Sequence, residues 1–116
     1  MKYLFILNEA PYGGERTYNG LRLASSLATR DGADVTVFLM GDAVASAHRG
    51  QKGLASYYNL QTMLGQLSLH GCSIGACGSC MDARGITEAE LTEGVRRSSM
   101  EELTRWTMEA GKVIAF

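Results

Sequence analysis

The chain has 116 residues, 46% of them hydrophobic and 20% charged, with a formal net charge of -1. That length and balance suit one globular domain, residues 1–116, built on a single hydrophobic core. The near-neutral charge argues against a basic face for nucleic acid or an anionic membrane, and no apolar run approaches the roughly 20 residues that span a bilayer.

Tyr3 to Leu7 is an unbroken apolar run, which suits a strand covered on both faces in a parallel sheet. Asn8 and Glu9 end it without a cleavage-site pattern, so it reads as a first strand and not as a signal peptide. Pro11, Gly13 and Gly14 then make a loop of the kind that follows a strand's carboxyl end. Thr17 is a candidate helix cap, and Leu21, Ala24, Leu27 and Ala28 recur at helical spacing before Asp31-Gly32.

Val35 to Met40 is the second strand, rich in β-branched and aromatic residues. A turn at Gly41-Asp42 and a short helical segment over Ala43 to Ala47 follow. His48 to Gly53 is a polar loop whose Arg49 and Lys52 either face an anionic group or are simply solvated. Tyr57, Leu60, Met63, Leu64 and Leu67 form the stripe of a second helix, stopped at His70-Gly71.

Cys72 to Ala76 reads as the third strand, opening into a glycine-rich loop with Cys77 and Cys80. Thr87 to Glu90 and Ser99 to Glu102 each read as a capping box. Gly94 to Arg96 reads as a short strand, and Leu103, Trp106 and Ala110 share one face of the last helix. Lys112 to Phe116 is the last strand. Strands alternating with helices predict right-handed crossovers and a mainly parallel sheet with helices on both faces. The loops after the strands then gather at one edge.

All three cysteines fall within Gly71 to Ile86. Without a signal segment, clustered thiols point to reactive or metal chemistry in a reducing compartment, and hence to a cytoplasmic protein. A reactive cysteine must be a thiolate, and a nearby cation or a helical turn's N–H groups favour that form. Arg84, Lys52 and Arg49 are the candidate cations, and Met81 to Arg84 the candidate turn. Gly75 and Gly78 leave room for a bulky partner.

Four readings fit these residues. Cys77 could take sulfur from a persulfide by exchange chemistry. Cys77 and Cys80 could be a thioredoxin-type redox pair, although such pairs usually lie near the start of a chain. His70, Cys72, Cys77 and Cys80 could ligate zinc, but one Cys-x-x-Cys is half of a convincing signature. The cysteines could also pack as small apolar residues, which suits Cys72 in a strand better than the two loop thiols.

The chain resembles the DsrE/DsrF-like sulfur-relay family, most closely its YchN-like branch. The resemblance spans the chain and is carried by Asn8-x-Ala10-Pro-Tyr-Gly13, Leu21-Arg-Leu-Ala24, Phe38-Leu-Met-x-Asp-Ala-Val44, Arg49-Gly-Gln-Lys52 and Tyr58-Asn-Leu-Gln-x-Met-Leu64. It continues through Cys77-x-x-Cys-x-Asp-x-Arg-Gly-Ile86, Gly94-Val95, Trp106-Thr and Lys112-Val-x-x-Phe116.

This resemblance implies a three-layer α/β/α domain with a mainly parallel five-stranded sheet. It also implies a homo-oligomer, a hexamer arranged as a trimer of dimers. In sulfur-relay relatives the persulfide forms on the cysteine eight residues before the glycine of an Arg-Gly pair. Cys77 is the match, with Gly85 as that glycine. Relatives acting in tRNA thiolation lack a match to Cys80.

The resulting expectation is a small cytoplasmic sulfur carrier with Cys77 as acceptor and Cys80 as helper. The supporting residues are Arg84, Asp82, Lys52, Arg49, Asn8, Tyr12 and His48, the last three brought near by sheet topology alone. Sulfur donor and acceptor proteins are the expected partners, with no cofactor, bound metal, nucleic acid or membrane. The alternative is an oligomeric thiol-redox or metal-binding protein without sulfur transfer.

Overall fold

The computed structural model describes residues 1–53 and 58–116. The strands are β1 (Lys2–Leu7), β2 (Asp34–Leu39), β3 (Ser73–Cys77), β4 (Val95–Ser98) and β5 (Lys112–Ala115). The helices are α1 (Arg16–Ala28), α2 (Leu60–Leu69), α3 (Gly78–Ala83) and α4 (Met100–Glu109). Gly41–Ala47 and Glu88–Glu90 form 3₁₀ segments. Tyr57, expected to begin the α2 stripe, lies outside the described residues, whereas Leu60, Leu64 and Leu67 are buried as that stripe requires.

The strand order is β4-β3-β2-β1-β5, and every pairing is parallel, beyond the mainly parallel sheet expected. Unbroken apolar runs need cover on both faces, and the inner strands have it. Leu4, Phe5, Leu7, Val37, Phe38, Leu39 and Ala76 are all fully buried. Each large side chain contributes about 1.5–3 kcal/mol on leaving water.

Right-handed crossovers decide the layers. From β1 to β4 the chain steps in one direction across the sheet, which puts α1, α2 and α3 on one face. From β4 it crosses back over the whole sheet to β5, so α4 lies on the other. There Trp106 meets Phe38 edge-on, with ring centroids 6.3 Å apart. Gly75 of β3 makes room for this contact, because a Cβ there would lie 2.9 Å from the Ser98 Cβ and 3.4 Å from the Trp106 ring.

Two caps differ from expectation. Thr17 lies inside α1 and is buried; its hydroxyl donates to the Glu9 carbonyl at 2.6 Å and ties the Pro11 loop to the helix. At α4, Ser99 accepts from the Glu102 N–H, but the Glu102 carboxylate turns to Arg96 and Ser98 instead of closing the box. The box at Thr87 and Glu90 is complete.

Candidate functional site

No loop separates β3 from α3. Cys77 is the last residue of the strand and also the N-cap of the helix. The glycine-rich loop expected around the thiols is therefore a direct strand-to-helix junction. Helical spacing places Cys80 one turn above Cys77 on the same face. Cys77 is 5% exposed, Cys80 is half-buried, and both are free thiols.

The Cys77 sulfur accepts from the Cys80 N–H at 3.4 Å and lies 3.3 Å from the Ser79 hydroxyl. Burial pushes its thiol up. Hydrogen bonds from the Cys80 and Ser79 side chains and backbones outweigh burial and hold it below the ordinary thiol range. Cys80 shifts the other way. Burial and the hydrogen bond it gives Cys77 push its thiol up, against weaker pulls from the Gly41 N–H and Arg84. The pair thus favours a Cys77 thiolate beside a protonated Cys80.

Cys80 also reaches the end of β2. The Gly41 N–H donates to its sulfur at 3.2 Å. Gly41 has a φ of 57°, a left-handed conformation that suits glycine, and it opens the 3₁₀ segment. Arg84 straps the same elements together, donating to both the Cys80 carbonyl at 3.0 Å and the Asp42 carboxylate at 2.7 Å. Asp82 faces β4, where the Arg97 guanidinium grips it through two bonds of 2.8 and 3.0 Å.

Cys72 precedes β3 by one position and lies in the core, where burial, then the Asp34 charge, pushes its thiol up. Its place in the core is that of a small packing residue.

The remaining sequence candidates are engaged elsewhere. Asn8 donates to the Phe116 carbonyl through both its backbone and its side-chain nitrogen. The Tyr12 hydroxyl accepts the Leu60 N–H at 3.0 Å, with Tyr12 itself at a φ of 63°. His48 pairs with Glu90 at 3.2 Å, and Arg49 donates to the Ala89 carbonyl. The Lys52 carbonyl accepts from Asn59. Among the described residues, none of these five hydrogen-bonds to the sulfur of Cys77 or Cys80.

Sequence reasoning missed Ser79, Gly41, Asp42 and Arg97. Ser79 was within reach, two residues beyond Cys77. The other three arrive through strand register and the α3 packing, which local spacing does not encode. Of the four possible zinc ligands, His70 instead ends α2, with its Nδ1 2.8 Å from the Gln66 carbonyl. Among the described residues no three His, Cys, Asp or Glu side chains converge on a metal-binding position.

Two relatives and a further solved structure share the chain's sequence or fold along nearly its whole length. The chain is 40% identical to Escherichia coli YchN over 116 residues, covering 99% of this chain and 98% of that protein. The crystal structure of E. coli YchN superposes with a TM-score of 0.94, covering 100% of this chain and 99% of that one. The uncharacterized protein MK0008 of Methanopyrus kandleri is 38% identical over 111 residues, 96% of this chain and 90% of that protein. MTH1491 of Methanobacterium thermoautotrophicum, a structure of unknown function at 17% identity and TM-score 0.77, shares the fold over 99% of this chain and 98% of that one. The family model for DsrE/DsrF-like proteins matches residues 1–116, and with this whole-length agreement the chain belongs to the DsrE/DsrF-like family.

Proposed function

We propose that the protein is a cytoplasmic sulfur carrier in which Cys77 accepts sulfur from a persulfide donor and passes it on. The observation that carries this reading is the strand-to-helix junction, where Cys80 and Ser79 stabilise a Cys77 thiolate by hydrogen bonds. Family membership supports a role of the sulfur-relay type. In the loading step the Cys77 thiolate attacks the outer sulfur of R–S–SH. The donor S–S bond breaks, Cys77–S–SH forms, and the electron pair leaves on R–S⁻. The oxidation level is conserved, so no oxidant or reductant is needed.

Cys80 supports a second reading, because its sulfur lies one helical turn away. From Cys77–S–SH, the Cys80 thiol can attack the Cys77 sulfur, giving a Cys77–Cys80 disulfide and H₂S. That product must be reduced by an external dithiol before the next cycle. A Cys80 kept protonated is a poor nucleophile, which favours a persulfide that survives until an acceptor protein arrives.

The working form we propose is a homo-oligomer, a hexamer built as a trimer of dimers. Exposed apolar side chains such as Leu69 and Met108, each 83% exposed, supply surface for such contacts.

The test is mass spectrometry of the Cys77 peptide after incubation with a persulfide donor. One added sulfur mass is expected on Cys77, and none in Cys77→Ser. Uptake by Cys77→Ser would sink the carrier assignment. Prompt conversion of the loaded protein to a Cys77–Cys80 disulfide with sulfide release would favour the second reading.

A further inference from the structure

We propose that Arg97 is a positioning residue for Cys77: Asp82 clamps its guanidinium over Gly78, fixing a positive charge at the junction that carries the reacting sulfur. The proposal rests on the reading of Cys77 as the reactive thiol and adds a residue from another strand to it.

Three observations converge on it. Arg97 belongs to β4, where it lies in register with Ala76, the residue before Cys77. Its guanidinium runs across the start of α3 so closely that a Cβ on Gly78 would lie 2.8 Å from the Arg97 Cζ and 2.9 Å from its Nε. Gly78 is thus the gap through which the cation reaches the junction. The guanidinium is also held by a two-bond fork to Asp82, one turn along α3, at 2.8 and 3.0 Å. A planar fork fixes orientation in a way that a lysine point charge does not.

The other charges nearby do not duplicate this role. The charged and titratable groups on the elements that meet here are Cys80 and Asp82 on α3, Arg84 at its end, Asp42 in the first 3₁₀ segment and Glu88 in the second. Arg84 is spent on Asp42 and the Cys80 carbonyl. Arg97 interacts favourably first with Asp82 and then with Glu88 and Cys77. Among the described residues, Arg97 is the cation packed against the start of α3, where the side chain of Gly78 would otherwise stand.

The experiment is the pH dependence of Cys77 alkylation by iodoacetamide in the full chain, read peptide by peptide by mass spectrometry. Arg97→Gln is expected to move the Cys77 midpoint upward by about half a pH unit, slowing alkylation near neutrality about threefold. Arg97→Lys should keep most of the native midpoint. An unchanged midpoint in folded Arg97→Gln, or equal shifts in the Gln and Lys variants, overturns the proposal, since a merely structural role predicts one of those. If Arg97→Gln fails to fold, the native chain still decides. Its midpoint should rise as sodium chloride screens the cation, and a salt-independent midpoint counts against Arg97. Alkylation needs no sulfur donor, so this result and the outcome of persulfide loading can fail separately.

Discussion

Cys72 stands just before β3 and Cys77 closes it, five residues apart, yet the fold pushes their thiols in opposite directions. At the amino end the chain arrives from α2 through Gly71, and Cys72 enters the core with, among the described residues, no hydrogen bond to stabilise a negative sulfur. At the carboxyl end the backbone turns straight into α3, whose first N–H groups point back at the Cys77 sulfur. The two thiols are similarly buried, at 9% and 5% exposed. Burial alone therefore does not separate inert from reactive. The supply of donors does, and in a parallel sheet it comes at the carboxyl ends.

The strongest way to break this comparison is to exchange the thiols. Cys77→Ser should abolish persulfide uptake and fast alkylation, while Cys72→Ala leaves both intact. Peptide mapping after labelling checks this, and uptake lost in Cys72→Ala would reverse the assignment. Next comes Gly75→Ala, which presses a methyl group against Ser98 and Trp106 behind the strand. We expect a loss of about 1–3 kcal/mol from overpacking, measured by urea unfolding. Cys72→Ala should cost about 1 kcal/mol for the lost sulfur contacts.

The pH dependence of stability should carry opposite signs at the two ends. The folded Cys77 thiol titrates below its unfolded value, so its contribution is full above the unfolded thiol range and is lost as pH falls through the folded value. The folded Cys72 thiol titrates above its unfolded value, so its contribution is full below that range and is lost as pH rises. Unfolding measured from neutral to alkaline pH should show Cys72→Ala removing a downward slope and Cys77→Ser removing an upward one. Equal slopes in the two variants would erase the distinction. The smallest effect belongs to Arg84→Ala. This partly exposed pair with Asp42 is worth at most about 1 kcal/mol, and its loss should change Cys80 reactivity more than Cys77 reactivity.

Much of this was legible in the chain itself. Tyr3 to Leu7 and Val35 to Met40 announced inner strands because short apolar runs without alternation, bounded by turn residues, suit strands covered on both faces. The spacing of Cys77 and Cys80, together with family resemblance, located the thiols. The loop reading failed at Gly78, which looks like a turn residue but opens α3. Gly75 is small because Ser98 and Trp106 press on it, and Gly78 because Arg97 crosses it. Those demands come from β4 and α4, about twenty to thirty residues away, and no local pattern records them. The same holds for Gly41, whose partnership with Cys80 follows from packing between the ends of β2 and β3. Asn8, Tyr12, His48 and Arg49 follow strand ends as topology demanded, but their hydrogen bonds brace the surrounding loops instead.

The bond from Gly41 to Cys80 also constrains how this fold can vary. A sulfur at position 80 is the acceptor for a partly buried backbone N–H, independent of any chemistry it performs. Deleting it to alanine leaves that N–H without a protein partner, at a cost of about 1–3 kcal/mol if water cannot enter. Serine keeps an acceptor on a shorter bond. A chain of this family that dispensed with the second thiol would therefore have to furnish a hydroxyl, a carbonyl or a water at this spot. A lineage could shed the chemistry of Cys80 more easily than its place in the hydrogen-bond network.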